Sequence, residues 1–431
     1  MKKNILYAAC GAALLLSACA SGRKVNGCRY PVVKGNAVVS FGGEAAKGDE
    51  NPDPGYLILS DSQREMVKAG NRMALDVFRQ LGGLDSKVIS PLSIYYLMGM
   101  LANGADGTTR QEIMHLLGCD KMTVADVNDL CHLLICQAGT LDKATELQTA
   151  NYVAVNRQNK LKQPFVNSLC ASYDASVENL DFTSSKTVKH INQWCSDHTD
   201  GMVPGILDSV EPSAVAYVMN ALYFNGSWTD KFDKGETKEE NFRGYTRNVR
   251  KVQMMHREGK YPYCSASDFQ AVELPYGNGT YTMTVLLPAE GKSLDDMVQH
   301  LTADTLAALG DRMTEYTVDL KLPRFTSEME LTLNDIITRL GAPSLFSAAT
   351  ANFSNFADGS VYISKLLQKS KIEVSEEGTK AAAVTAAVMT MACLEPEEPR
   401  RVEFHADRPF VYVISEKQSG AVYFIGRFTA Q

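Results

Sequence analysis

The chain has 431 residues, 45% of them apolar and 22% charged, and carries a net charge of −7 at neutral pH. This is globular composition and excludes a disordered or fibrous chain. The mild acidic balance offers no basic excess of the kind a nucleic-acid surface needs, so no nucleic-acid partner is expected.

The first residues, "MKKNILYAACGAALLLSAC", begin with Lys2 and Lys3, stay apolar from Ile5 to Leu16 and end in Ser17-Ala18-Cys19. A basic start, an apolar run too short to span a bilayer and small residues before a cut describe an export signal over residues 1–18. "LLSAC" resembles the bacterial lipobox. That resemblance implies that Cys19 is lipidated and anchors the mature chain to a bacterial membrane, at the outer membrane, the cell surface or the periplasmic face. Ordinary secretion with cleavage near Ala18 or Ala20 is the alternative. Residues 19–55, rich in Gly, Ser, Asn and Pro and ending in "GDENPDPG", read as a flexible tether. Of ten cysteines, Cys10 leaves with the signal and Cys19 is the anchor. The other eight show no tight framework spacing and are expected to be buried thiols.

From residue 56 to the end the pattern is dense. "SDSQREMVKAGNRMALDVFRQLGG" has a capping Ser60-Asp61, apolar residues near a 3.6-residue period and a stop at Gly82-Gly83, which predicts a helix. "VISPLSIYYLMGMLANGADG" predicts a second helix entered through Ser90-Pro91, and "TTRQEIMHLLG" a third. Later runs such as "AVAYVMNALYFNGSW", "YTVDLKLPRF" and "GAVYFIGRF" are β-branched and aromatic, broken by Gly, Pro and Asn. "ELPYGNGTYTMTVLLP" predicts a hairpin turning at "GNG". Early helices and late antiparallel strands make an α+β body over residues 56–431.

The order of these segments resembles the serpin family. "VISPLSIYYLMGMLANGADGTTRQEIMHLLG", "INQWCSDHTDGMVPGIL", "NALYFNGSWTDKFDKGETKEENF", "LKLPRFTSEMELTLNDIITRLGAPSLF", "YISKLLQKSKIEVSEEGTKAAAVTAA" and "ADRPFVYVISEKQSGAVYFIGRF" follow one another as the family's motifs do. The resemblance implies a serpin fold: a large, mainly antiparallel central sheet, two smaller sheets, eight or nine helices and an exposed reactive loop at about 376–399. The implied function is that of a monomeric protease inhibitor, needing no cofactor or metal, that traps its target as a covalent acyl-enzyme when the cut loop enters the central sheet. The target is an elastase-like serine protease or a papain-like cysteine protease. A non-inhibitory serpin acting as a carrier, or as a mere protease substrate, is the alternative.

The loop residues suit that role. Along a strand, side chains alternate between faces, so Thr379, Ala381, Ala383, Thr385 and Ala387 share one face; all are small or hydroxylated and can enter a packed interior. The resemblance makes Glu376, Glu377, Gly378, Thr379, Ala381, Ala382, Ala383 and Thr385 the hinge. Family spacing of fourteen residues from Gly378 puts the scissile bond at Ala392–Cys393, or one residue earlier at Met391–Ala392. A small residue before the cut fits an elastase-like pocket. The resemblance also implies that Trp194 lies beneath the point of loop entry, with Glu373 and Lys321 on nearby strands, and that Ser93 and Asn220 form the patch that parts for insertion. Gln368 stands there where many serpins carry a histidine, and Lys380 replaces the usual glutamate after the hinge threonine.

Other chemistries are poorly supported. His115–Cys119 and His132–Cys136 have helical i, i+4 spacing, which two amphipathic helices with buried cysteines explain. There is no G-x-S-x-G elbow, P-loop or dinucleotide fingerprint.

Overall fold

A computed structural model describes residues 33–34, 55–245, 248–379 and 400–431. Local sequence rules account for the early helices. Ser60 caps Asp61–Gln80 in a reciprocal box with Gln63, and Ser90 caps Pro91–Gly104 with proline in the first turn. Almost every residue of Pro91–Gly104 is buried, because this helix lies inside the molecule and packs on both the Ala216–Ser227 and Val422–Phe428 strands.

Two sheets flank that helix. The main sheet has six strands in the order Phe325–Thr332, Ile363–Ser375, Gly378–Thr379, Ala216–Ser227, Thr145–Asn156 and Ser176–Leu180. The second has nine strands. It joins the two smaller sheets expected from the sequence, because the 17-residue strand Val249–Ser265 bonds to Thr314–Pro323 along most of its length and to Phe269–Tyr276 at its end. Ten α-helical segments lie among the described residues, against the eight or nine expected. The excess comes from short pieces: Ala303–Ala307 and Leu309–Arg312 are one helix interrupted at Ala308.

The main core fills the space between the sheets. A smaller core lies on the other face of the main sheet, where Ile191 and Cys195 of the Lys186–His198 helix meet Tyr152, Tyr217 and Met219. The central strand is therefore covered on both faces. Residues 216–224 are all buried, which explains why "AYVMNALYF" reads as an apolar run broken only by Asn220 instead of an alternating one. All six cysteines among the described residues are free thiols. Five are buried as expected, but Cys170 is exposed.

Candidate functional site: the hinge in the main sheet

The Ile363–Ser375 and Ala216–Ser227 strands run parallel and paired from Ile363–Ala216 up to Lys371–Tyr223. Beyond that point they part. The chain leaves Ser375, turns through Glu376 and Glu377, and lays Gly378 and Thr379 in the gap. Both residues pair antiparallel to each wall, with Val374–Thr379 and Ser375–Gly378 on one side and Gly226–Thr379 and Ser227–Gly378 on the other. Gly378 has φ +139°, and a Cβ there would strike the Gly226 carbonyl oxygen and lie 2.7 Å from Ser227 Cα. Only glycine fits that wedge.

Aromatic side chains floor the gap. Trp228 stacks on Tyr276 with ring centroids 4.3 Å apart, and Phe224 meets Tyr276 edge-on at 5.0 Å. The Trp228 indole Nε1 donates to the Ser375 carbonyl at 2.9 Å, and its backbone N–H donates to the Glu377 carbonyl at 3.0 Å. Thr379 is fully buried, and its hydroxyl shares a 2.8 Å hydrogen bond with the Tyr276 hydroxyl.

The two turn carboxylates are clamped by charge. Glu376, nearly inaccessible, pairs with Arg324 and accepts from Thr237 Oγ1 at 2.7 Å. Burial pushes its carboxyl up, but the bonds from Arg324 and Thr237 outweigh that and hold it below the usual glutamate value. Glu377 lies between Lys231 Nζ at 2.9 Å and Lys234 Nζ at 3.0 Å, and their bonds lower its carboxyl too.

Lower in the same seam, Asn220 and Gln368 face each other in register, both buried. Gln368 Nε2 donates to the Ser90 carbonyl at 2.6 Å, Ser90 Oγ accepts from the Ser93 N–H at 3.1 Å, and Asn220 Nδ2 donates to Asn151 Oδ1 at 2.7 Å. Asn151 in turn donates to the Tyr173 carbonyl. The seam is thus closed by neutral amides, with no titrating group in this chain of bonds.

A family model described as Serpin (serine protease inhibitor) matches residues 68–430. The chain belongs to the serpin family. It is 32% identical to the human leukocyte elastase inhibitor, over 85% of this chain and 99% of that protein. It is 30% identical to an uncharacterized serpin-like protein of Thermococcus kodakarensis, over 87% of this chain and 88% of that one. Among solved structures, the thermophilic serpin tengpin in its native state superposes with a TM-score of 0.78 at 26% identity, covering 87% of this chain and 96% of tengpin.

The structure brings Glu376, Glu377, Gly378 and Thr379 together in the gap, and Ser93, Asn220 and Gln368 together in the seam. Trp194 belongs to neither group. It lies on the Lys186–His198 helix, stacked on His198 at 4.2 Å, tilted against Tyr152 at 4.6 Å and bonded to Ser176. The tryptophan at the point of loop entry is Trp228, directly after the strand that forms one wall of the gap. Glu373 lies on the Ile363–Ser375 wall of the gap and pairs with Lys371, while Lys321 lies on Thr314–Pro323 of the second sheet and pairs with Glu240. Arg324, Tyr276, Thr237, Lys231 and Lys234 were not anticipated, although "NALYFNGSWTDKF" contains the tryptophan and one of the two lysines. Cys19, Ala381, Ala382, Ala383, Thr385, Met391, Ala392 and Cys393 lie outside the described residues.

Proposed function

We propose that this serpin is a protease inhibitor that acts as a suicide substrate. The observation that carries the reading is the gap itself. The two flanking strands are already parted at one end, and two residues of the hinge, Gly378 and Thr379, already occupy the position of a new central strand. The residues that follow alternate correctly for the same interior, and as far as Ala387 the inward face carries only Ala381, Ala383, Thr385 and Ala387, none bulky or charged; Met389 and Met391 come last and are uncharged.

The chemistry follows from that motion. A serine protease attacks the carbonyl of Ala392 with its hydroxyl oxygen. The bond to the Cys393 nitrogen breaks, the leaving amine takes the proton, and the enzyme stays joined to Ala392 as an ester. Entry of the cut segment adds a strand and its ladder of hydrogen bonds to the main sheet, releasing stored strain. At roughly 3.3 Å per residue, about fifteen inserted residues carry the ester some 50 Å. Displacement on that scale pulls the enzyme's catalytic groups out of register before water can hydrolyse the ester. A cysteine protease would be held in the same way as a thioester.

The small residue before the cut and the relative named leukocyte elastase inhibitor support an elastase-like target. The test is a denaturing gel of the serpin with such an enzyme. The expected result is a detergent-resistant covalent complex. Cleaved serpin alone, with every protease tried, would contradict the reading and favour a carrier or simple substrate. We further propose that Cys19 is the lipid anchor; labelling with radioactive palmitate should be lost in the Cys19→Ala variant.

A further inference from the structure

We propose that Tyr276 is the positioning residue that sets the starting register of loop insertion, by recognising the hydroxyl of Thr379. The inference rests on the inhibitory reading above and names a group that controls it from outside the main sheet.

Tyr276 ends the Phe269–Tyr276 strand of the second sheet and is completely buried. Its hydroxyl meets Thr379 Oγ1 at 2.8 Å, while its ring is fixed between Trp228, stacked at 4.3 Å, and Phe224, edge-on at 5.0 Å. Trp228 also bridges to Tyr276 through the backbone, and holds the hinge turn from both ends through Ser375 and Glu377. The phenol therefore has little freedom and points at one place in the gap.

A side chain entering that place must be small, because the position is inaccessible, and must carry a hydrogen-bonding group, because otherwise a buried phenol is left without its partner. Thr379 satisfies both conditions. The alanines that follow it satisfy only the first. A hinge displaced by two residues would bring Ala381 opposite Tyr276 with its methyl group facing the hydroxyl. The bond thus discriminates between the correct start of insertion and a slipped one, which sheet pairing alone does poorly where side chains are small. Insertion begun in the wrong register shortens the distance carried and gives water time to release the protease.

The experiment compares Tyr276→Phe, Thr379→Val, Thr379→Ser and the double variant Tyr276→Phe/Thr379→Val. The first readout is amide exchange of the peptide spanning residues 375–379, which needs no protease. The second is the number of serpin molecules consumed per protease trapped. Thr379→Val leaves the Tyr276 hydroxyl buried without this partner, and exchange should quicken about tenfold. Thr379→Ser should match the wild type. The double variant, in which both polar groups are gone, should recover most of the protection and most of the trapping efficiency, an outcome that a purely structural role of either residue does not produce. The rate of first attack on the loop should be the same in all variants. Equal exchange in Thr379→Val and Thr379→Ser, or a double variant no better than the worse single one, would overturn the proposal. If the wild type traps no protease at all, the inhibitory reading falls. The exchange measurements then still decide whether Tyr276 holds Thr379.

Discussion

The indole of Trp228 donates to the carbonyl of Ser375 at 2.9 Å, tying the last residue of one parted strand to the residue just beyond the other. This bond crosses the top of the gap in the main sheet and fixes how far its walls stand apart. Trp228→Phe removes the bond but keeps a ring on Tyr276, and should cost about 1 kcal/mol of native stability. Trp228→Ala also empties the stack and should cost about 3–5 kcal/mol. Urea unfolding of both variants checks the order. Equal losses would mean that the hydrogen bond and the packing are not separable as described.

Gly378 is held at φ +139° against the Gly226 carbonyl. Gly378→Ala should expel the two-residue strand from the gap, at a cost of about 1–3 kcal/mol of hinge order, while the body of the protein stays folded. Faster exchange confined to the peptide around residues 375–379 is the expected observation.

The clamp on the turn is acid-labile. Glu376 and Glu377 are both held below the ordinary glutamate value of 4.5 when docked. Docking is therefore fully stabilised by these groups above that value and loses the contribution as pH falls below it. In a Trp194→Phe background, Trp228 is the sole tryptophan and sits against the turn. Its fluorescence should be flat between about pH 8 and pH 6 and change below about pH 4.5. Arg324→Ala should move that change to higher pH. The seam at Asn220 and Gln368 contributes no titration of its own.

Asn220 supplies the hydrogen bond that satisfies Asn151, fully buried on the neighbouring strand. Asn220→Ala should destabilise the closed sheet by about 1–3 kcal/mol and speed spontaneous loss of activity on warming. An unchanged inactivation rate at 37 °C would show that this pair does not restrain the seam.

Thr379 is the first inserted residue with a side chain and has no exposed surface. Thr379→Arg should turn the inhibitor into a substrate that is cut without trapping, because a charge cannot be carried into that interior. In the intact protein the arginine should already displace residues 378–379 from the gap, seen as faster amide exchange around residues 375–379 while the body stays folded. Persistence of full inhibition would remove Thr379 from the inserting face.

Much of this arrangement was legible in the sequence. The alanine-rich ribbon taken alone suits an ordinary helix; the resemblance of its flanking segments marked it as the hinge, and the structure lays Gly378 and Thr379 in the gap. Asn220, Ser93 and Gln368 were grouped by the resemblance of their segments to the family's, and the fold brings them to one seam. The tryptophan at the gap was not legible. Trp194 and Trp228 each stand in a segment that resembles one of the family's, and only the fold reveals that the first belongs to an amphipathic helix lying on the sheet while the second caps its opening. Arg324 was hidden for a related reason. Pro323 ends one strand, and Phe325 starts the next in the other sheet, so the residue between them sits at a crossover that no periodicity marks.

The most direct test of stored strain in the closed sheet is a crystal structure of the protein after a single cut in the loop. The account predicts that residues 380–392 form a strand between Ile363–Ser375 and Ala216–Ser227, continuing antiparallel from Thr379 and abolishing the direct Gln368–Asn220 pairing. A cut molecule in which Ile363–Lys371 remains paired to Ala216–Tyr223, with the severed segment outside, would contradict it.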